Sequence, residues 1–274
     1  MPEGDTIART AATLRTWLGG RTVTATRTSL AHLSVSRLVG RTVGDVGTIG
    51  KNLLLSFVGE RADDVLVLHT HMKMTGSWHV YPAGVEWRKP AWQARVIIEA
   101  GDRIAVCFNA PVIELAGAGS TRRRPSLSGL GPDVLVEPLD VGRLLERADA
   151  TSADYALGEL LLDQSVVCGI GNIYRCEALF LERRHPWTAR RALSDEALVG
   201  LVRRAAQLMQ ANVGTVTART DSMGREFGAG GDRTWVYRRA GLGCRVCGDS
   251  IRARGQGPLA RRAYWCPVCQ VLAA

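Results

Sequence analysis

The chain has 274 residues, a composition typical of globular proteins and a formal net charge of +9, with a sequence pI of about 9.6. This length predicts two domains and a further small unit. It contains no run of roughly 20 apolar residues that could span a membrane, and MPEGDTIART lacks the basic start and apolar core of a signal peptide. We therefore expect a soluble protein of a reducing compartment, whose positive charge suits phosphate groups.

The first predicted element is an amphipathic helix. Its apolar residues recur at helical spacing, namely Ile7, Ala11, Leu14 and Leu18. Asp5 or Thr6 is expected to cap the start of the helix, and Gly19-Gly20 to end it.

Short β-rich runs follow between Arg21 and about Ala116. They cover residues 23–28, 52–58, 65–72, 77–81, 92–100 and 103–109. Gly101-Asp102 is a strong two-residue hairpin signal between the last two runs. The pattern predicts an antiparallel β-sandwich or barrel with one attached helix.

The second half of the chain is predicted to be helical. Residues 117–138, with Arg122-Arg123-Arg124-Pro125 and a Gly-Leu-Gly-Pro stretch, are typical of a linker. Helical periodicity then extends over residues 141–209, and its clearest apolar face consists of Leu198, Leu201, Val202, Ala205 and Leu208. We place domains at 1–120 and 139–230, a linker at 121–138 and a hairpin unit at 231–274, which makes the fold class multidomain α+β.

Four cysteines near the C-terminus have the spacing of a zinc ribbon. Cys244 and Cys247 form one C-x2-C pair, and Cys266 and Cys269 form a second pair after eighteen residues. Four thiolates leave no open coordination position, so the predicted zinc ion is structural. The alternative is that these cysteines are disulfides or unpaired thiols. The residues between the pairs carry four arginines and one acid, which suits nucleic acid: Arg252, Arg254, Arg261, Arg262 and Asp249.

The remaining cysteines, Cys107, Cys168 and Cys176, lie in apolar surroundings and are predicted to be buried thiols.

The N-terminus offers an unusual nucleophile. Removal of Met1 would expose the secondary amine of Pro2, and an α-amino group has a pKa near roughly 7.7–8.0, so a usable fraction is unprotonated at neutral pH. A secondary amine that attacks an aldehyde-type carbon gives a charged iminium. Glu3 is placed to act as a general acid or base. By itself Met-Pro-Glu is weak evidence, since many chains begin this way.

Several motifs together resemble the formamidopyrimidine-DNA glycosylase / endonuclease VIII family. They are Met1-Pro2-Glu3-Gly4, the strand motif Gly50-Lys51-Asn52-Leu53-Leu54-Leu55, His71-Met72-Lys73-Met74-Thr75-Gly76, Gly131-Pro132-Asp133-Val134-Leu135, Gly169-Ile170-Gly171-Asn172-Ile173-Tyr174 and the cysteine ribbon. The resemblance implies an N-terminal β-sandwich, a helix-two-turns-helix domain, a zinc finger and excision of a damaged base that is flipped out of duplex DNA.

The resemblance also implies catalytic roles. Pro2 would attack the sugar C1′ and expel the damaged base, and Glu3 would help to open the deoxyribose ring. Lys51 would support the sugar and phosphate at the reaction centre. Only three lysines occur against 32 arginines, which makes Lys51 stand out. Its alternative interpretation is a solvent-exposed lysine.

Further residues are expected to bind DNA. Gly171 and Asn172 precede a predicted helix, where backbone N–H groups can meet a phosphate, and the alternative for Asn172 is a helix cap alone. By resemblance, Arg261 would grip the phosphates beside the flipped nucleotide, with Arg262 a general phosphate contact or a solvated charge. Met74, with Lys73, would fill the space left by the flipped base, unless Met74 is a buried strand residue. His69 and His71 are assigned to packing and hydrogen bonding.

The chain also departs from the family pattern. Asp5-Thr6 stands where many members have Pro-Glu, which moves or removes a carboxylate near the nucleophile. The segment Cys107-Phe108-Asn109-Ala110-Pro111-Val112 lacks the Arg-x-Phe pair of the formamidopyrimidine branch. With Gly4 and Trp265, this favours the endonuclease VIII branch, which prefers oxidised pyrimidines.

The leading hypothesis is a monomeric, bacterial, cytoplasmic DNA glycosylase with AP-lyase activity that acts on damaged double-stranded DNA, uses β,δ-elimination and holds one structural zinc ion. The alternatives are a purine-lesion enzyme on the same scaffold and a non-catalytic DNA-damage-binding protein.

Overall fold

The computed structural model describes residues 2–213, 225, 227 and 234–272. The chain divides into two compact units, of which the first contains residues 2–129 and the second Leu130–Asn212 together with 234–272. Within the described ranges, no helix combines the length and the apolar character needed to cross a membrane.

The first unit is a β-sandwich preceded by a helix. Its elements are α1 (Gly4–Leu18), β1 (Val23–Thr28), β2 (Thr42–Ile49), β3 (Asn52–Val58), β4 (Val65–His71), β5 (Ser77–Pro82), β6 (Ala94–Ala100), β7 (Arg103–Phe108), β8 (Val112–Gly117), α2 (Ala118–Arg122) and α3 (Pro125–Ser128). All strand pairs are antiparallel, in two four-stranded sheets with the orders β1-β6-β7-β5 and β2-β3-β4-β8.

The core of this unit forms because buried and more exposed side chains alternate along its strands. In β3, for example, Leu53, Leu55 and Phe57 are fully buried, as expected when every second side chain of a strand faces the same way. The apolar face of α1, headed by Ile7 and Leu14, packs into the same core. The predicted helix and sandwich are therefore confirmed.

Three details differ from the sequence predictions. Helix α1 begins at Gly4, so Glu3 is its N-cap and neither Asp5 nor Thr6 caps it. Asp5 instead lies in the first turn, fully buried, with its carboxylate 3.5 Å from Arg9. Strands β2 and β8 were not predicted as separate runs, and residues 91–93 form a short 3₁₀ helix before β6. The predicted linker contains α2 and α3.

The second unit consists of helices and a hairpin. Its elements are α4 (Val141–Asp149), α5 (Leu157–Leu160), α6 (Asn172–Leu181), α7 (Asp195–Val213), β9 (Arg252–Gln256) and β10 (Arg261–Trp265). Of the predicted apolar face of α7, Leu198, Leu201, Val202 and Ala205 are fully buried. The helices share one core, which the fully buried Tyr174 and Leu179 join from α6.

The cysteine hairpin packs directly on α6. Cys176 and Phe180 of that helix lie in one apolar cluster with Val236 and Ile251. The buried carboxylate of Glu177 accepts the backbone N–H groups of Trp235, Val236 and Tyr237 at 2.6, 3.1 and 2.8 Å. Both apolar burial and charge-assisted hydrogen bonds therefore attach the C-terminal segment to the helices.

Candidate active site and nucleic-acid interface

The start of α1 holds the two residues predicted to perform the chemistry. Glu3 has an extended backbone (φ −123°, ψ −179°), and its carbonyl accepts the N–H groups of Thr6 and Ile7 at 2.9 and 3.1 Å. Glu3 is fully buried, whereas Pro2 is partly exposed. The N-terminus of a helix stabilises a nearby carboxylate, because its first N–H groups carry partial positive charge. An accessible proline thus adjoins an acid that is shielded from water.

Lys51 lies in a tight turn and not on a strand as the sequence predicted. Gly50 and Lys51 form the two-residue connection between β2 and β3, since Ile49 and Asn52 are the last paired residues. Gly50 has φ +57°, a conformation that glycine adopts without a steric penalty. Lys51 is half-buried, which is less exposure than the alternative interpretation, a solvent-exposed lysine, implies.

A chain of side-chain hydrogen bonds braces this turn. The amide nitrogen of Asn52 donates to the carbonyl of Ile49 at 3.0 Å, which closes the turn around Lys51. The Asn52 amide oxygen then faces Nε2 of the buried His69 at 2.9 Å. On its other side, Nδ1 of His69 lies 3.1 Å from Oε2 of Glu114.

His69 thus bridges Asn52 and Glu114 through its two ring nitrogens. Burial disfavours the charged ring and lowers the pKa of His69, while Glu114 raises it. Desolvation raises the pKa of Glu114, but hydrogen bonds from His69 and Arg124 outweigh it and leave the pKa below its ordinary value. Arg124 forms an ion pair with Glu114. The chain Arg124–Glu114–His69–Asn52 thus fixes the turn that carries Lys51.

His71 lies beside the same turn, because it pairs with Asn52 across β3 and β4. Desolvation, followed by the charges of Lys51, His69 and Lys73, lowers the pKa of His71 to about 4. Its Nδ1 accepts the backbone N–H of Lys73 at 3.1 Å. His71 is therefore neutral at physiological pH and shapes the next turn, in agreement with the predicted hydrogen-bonding role of both histidines.

The turn after β4 presents Met74 to solvent. Met74 is 67% exposed, which excludes the buried strand position that was its alternative. The turn is tightly built: Lys73 has φ +43°, and a Cβ on Gly76 would lie 2.7 Å from the carbonyl oxygen of Met72. Thr75 donates its hydroxyl to the carbonyl of Asn109 at 3.2 Å. Lys73 is also exposed, so both residues are accessible to a ligand.

The glycine turn before α6 is built as a helix start, but Asn172 does not cap it. Gly171 is the N-cap and Asn172 is the first helical residue. The Asn172 amide nitrogen donates to the carbonyl of Arg262 at 3.0 Å, and its oxygen accepts from the fully buried Arg175. A role as helix cap alone is therefore wrong, because this side chain joins the turn to the hairpin instead.

Buried Arg175 extends this connection. It donates to the carbonyl of Arg261 at 3.3 Å and to the side chain of Gln256 at 3.1 Å. Gln256 in turn donates to the carbonyl of Pro186 at 2.8 Å. Arg261 is the first residue of β10, opposite Gln256, so the tip of the hairpin is fixed from the helical side. The side chain of Arg261 is half-buried and that of Arg262 is exposed.

The four cysteines form a single cluster. Their sulfur atoms all lie within 4.8 Å of one another, with 3.9 Å between Cys244 and Cys269 and 3.4 Å between Cys247 and Cys266. A disulfide needs about 2.05 Å, so these cysteines are not paired as disulfides. Tetrahedral zinc with bonds of about 2.3 Å separates its sulfurs by about 3.8 Å. The residues thus fit a four-thiolate metal ion.

The other cysteines, Cys107, Cys168 and Cys176, are buried thiols, as predicted. Burial raises the pKa of Cys176 to about 11 and raises that of Cys107 further still.

Sequence reasoning missed the supporting residues. Asn52 follows Lys51 directly and could have been noticed as a turn-closing amide. Arg175 stands among apolar residues of α6, and an arginine on a buried face signals a hydrogen-bond network. Glu114 and Arg124 lie outside every motif, so their link to His69 becomes visible only when β4 and β8 pair.

Comparisons with known proteins show which family the chain resembles. Residues 1–111 match the formamidopyrimidine-DNA glycosylase N-terminal domain, and residues 130–222 match the H2TH domain of the same enzymes. The chain is 38% identical to "Probable endonuclease 8 2" of Streptomyces coelicolor, covering 98% of this chain and 94% of that protein. It is 33% identical to "DNA-(apurinic or apyrimidinic site) lyase Nei2" of Mycolicibacterium smegmatis, covering 98% and 99%.

Solved structures show the same fold. Lactococcus lactis Fpg in a complex with N7-benzyl-Fapy-dG-containing DNA is similar with a TM-score of 0.79 at 21% identity, covering 98% of this chain and 100% of that one. The same protein bound to abasic-site DNA gives a TM-score of 0.79 at 20% identity. The predicted multidomain architecture is thereby confirmed.

Proposed function

The chain belongs to the formamidopyrimidine-DNA glycosylase / endonuclease 8 family of base-excision-repair enzymes, and we propose that it excises oxidised pyrimidines from double-stranded DNA and then cleaves the abasic site. The observation that carries this proposal is the accessible Pro2 next to the fully buried carboxylate of Glu3. Proline supplies a nucleophile and the adjacent acid supplies proton transfer. A protein that only binds DNA needs neither.

The first step forms a bond between the Pro2 nitrogen and C1′ of the damaged nucleotide. The bond from C1′ to the base breaks, and the base leaves with the electron pair and takes up a proton. Glu3 in its acid form then protonates O4′, so that the ring opens and a C1′ iminium is left on Pro2. Lys51 supplies positive charge at the sugar and phosphate, held in place by the Asn52 turn.

Strand cleavage follows from the iminium. Loss of a proton from C2′ expels the 3′ phosphate, and a second elimination expels the 5′ phosphate. Water then hydrolyses the iminium and regenerates the Pro2 amine. This β,δ-elimination leaves a one-nucleotide gap with phosphate at both ends.

DNA recognition is assigned to three further groups. Backbone N–H groups at Gly171 and the side chain of Arg261 would hold phosphates, since helix starts and guanidinium forks both suit them. Asn172 fixes the position of this turn against the hairpin. Met74 and Lys73 would fill the space left by the flipped base. A zinc ion on the four cysteines would fold the hairpin and perform no chemistry.

Borohydride trapping tests the proposal. Reduction during reaction with abasic duplex DNA should convert the iminium to a stable amine and fix the enzyme to the DNA. An uncleaved N-terminal tag should abolish trapping, and Pro2→Gly, which has only a primary amine, should weaken base excision. Efficient trapping by protein verified to carry the tag would exclude Pro2 as the nucleophile. Binding without any trapping would favour a non-catalytic damage-binding protein.

A further inference from the structure

One large aromatic side chain on the first unit stands in solvent. Trp92 is 77% exposed, more than any other large apolar residue in the described parts of the chain. By contrast, Trp17 of the same unit is 38% exposed and has the Arg103 guanidinium 4.3 Å from its ring centre. An exposed indole loses the benefit of burial, so its position suggests contact with a ligand.

Hydrogen bonds connect Trp92 to the turn that carries Met74. The neighbouring Gln93 accepts the backbone N–H of Asn109 at 3.0 Å, and its side-chain oxygen accepts the Asn109 amide at 2.9 Å. The carbonyl of Asn109 accepts the hydroxyl of Thr75 at 3.2 Å. Asn109 has φ +49°, a strained conformation for a residue other than glycine. Three loops are thus held together, and two of them present exposed apolar side chains.

The middle loop offers no aromatic wedge of its own. Phe108 is the only aromatic residue between 107 and 112, and it is fully buried. Its ring packs edge-on against Trp87 with 5.9 Å between ring centres. The aromatic ring of this segment is therefore not accessible for stacking on a base.

The surroundings of Trp92 are cationic. Between residues 85 and 95 the chain has Arg88, Lys89 and Arg95 against the single acid Glu86. The ammonium of Lys89 donates to the hydroxyl of Ser77 at 2.8 Å. Positive charge around an exposed aromatic ring is the combination that binds nucleic acid, because phosphates meet the cations while a base stacks on the ring.

We propose that Trp92 stacks on the unpaired base opposite the excised nucleotide. This inference rests on the proposed function and assigns a further specificity residue to it. Met74 fills the space in the damaged strand, while Trp92 holds the base of the undamaged strand. Every base has a π-face, so stacking on an indole discriminates weakly between bases. With this contact, we expect excision to depend only weakly on the identity of the opposite base.

Binding measurements on a stable abasic analogue test this role. The duplex carries the fluorescent base 2-aminopurine opposite the analogue, and affinity is measured alongside fluorescence. Trp92→Ala should weaken binding by about 5–100-fold, the range for loss of one base–aromatic stack, and should abolish the quenching of 2-aminopurine by the protein. Trp92→Phe should retain most of the affinity and most of the quenching. Trp17→Phe is the matched control and should behave like the wild type.

A single-stranded version of the analogue separates stacking from other contacts. It has no opposite base, so Trp92→Ala should bind it as well as the wild-type protein does. Equal losses on single strand and duplex, or unchanged affinity and quenching on the duplex, would overturn the proposal. Trapping of abasic DNA by Trp92→Ala should remain detectable once enough protein is added to offset its weaker binding, whereas failure of the wild-type protein to trap would count against the proposed function itself.

Discussion

Asn52 and His69 form a buried hydrogen bond of 2.9 Å at the base of the turn that carries Lys51. Both polar atoms of the Asn52 amide are engaged, since its nitrogen closes the turn and its oxygen faces the imidazole. His69 is in turn oriented by Glu114. The lysine that we propose to act at the reaction centre thus stands on a braced turn, which limits the positions that its ammonium group can reach.

Removal of this support should slow the chemistry more than it weakens DNA binding. We expect Asn52→Ala and His69→Leu to reduce single-turnover trapping by about 10–100-fold, since a misplacement of about 1 Å can cost 10²-fold in rate. Ser56→Ala is the control, because its hydroxyl also donates within the same hairpin, to the Asp45 carbonyl, away from the turn. Equal trapping by the Asn52 variant and the control would show that Lys51 needs no support.

Glu3 should be required for base excision and not for binding. Glu3→Gln preserves the size of the buried side chain but cannot deliver a proton, so we expect single-turnover excision to fall by about 10²–10⁴-fold. Affinity for a stable abasic analogue should stay close to that of the wild type. Equal excision rates would give Glu3 a structural role only.

The fold was largely predictable because local patterns and tertiary packing agree. Alternation marked β3, and helical spacing marked α1 and the buried face of α7. Strand β2 was missed because Gly44 and Gly47 interrupt its apolar residues. The start of α1 was misplaced because Asp5, a good capping residue by type, forms a buried ion pair with Arg9 instead.

The site was predictable where chemistry depends on residue type and spacing. The cysteine cluster was predictable in this way, because the spacing of the two C-x2-C pairs indicates which sulfur atoms can bind one metal ion. Lys51 was placed on a strand because its apolar neighbours extend the strand pattern, whereas Gly50 allows the turn. The contacts of Asn172 and Arg175 join residues almost 90 positions apart. No sequence pattern at either end indicates such long-range pairs.

The low pKa of His71 predicts a pH-dependent loss of stability. Unfolding restores the ordinary value of about 6.5, so below that pH the unfolded chain binds a proton that the folded protein excludes until about pH 4. Stability should therefore fall as the pH drops from about 6.5 to 4. Denaturant unfolding of wild type and His71→Asn at pH 7, 6 and 5 measures this. The free energy of unfolding of the wild type should fall more between pH 7 and pH 5 than that of the variant. An equal fall in both proteins would contradict the lowered pKa of His71.

Zinc removal should weaken DNA binding through the hairpin. Cys244, Cys266 and Cys269 lie in the cluster with Phe180 and Ile251, so chelation should loosen the ribbon and expose this apolar surface, while the sandwich of the first unit stays folded. The expected result is a loss of DNA affinity while the β-sheet signal in circular dichroism stays unchanged. Unchanged affinity after complete chelation would remove the ribbon from the DNA-binding surface.

Arg261→Ala should reproduce much of that loss. Removal of one phosphate contact should flatten the dependence of log affinity on log salt by about 0.9. Arg61→Ala is the control, since it makes the same change in net charge at a highly exposed arginine of the first unit that is paired with Asp63. If both variants changed the dependence of log affinity on log salt by the same amount, Arg261 would act only through overall charge.

Lesion choice depends on a pair of residues that this chain lacks. Phe108 is buried and the Arg-x-Phe pair is absent from its segment, so we propose that the exposed Met74 fills the vacated space. We therefore expect faster excision of thymine glycol, dihydrouracil and 5-hydroxyuracil than of 8-oxoguanine, with weak dependence on the opposite base. Single-turnover rates on matched duplexes measure this directly. Faster release of 8-oxoguanine with strong preference for cytosine opposite would place the enzyme in the purine-lesion branch.

Met74→Ala should slow excision of all these lesions alike, because the side chain fills space and does not contact the damaged base.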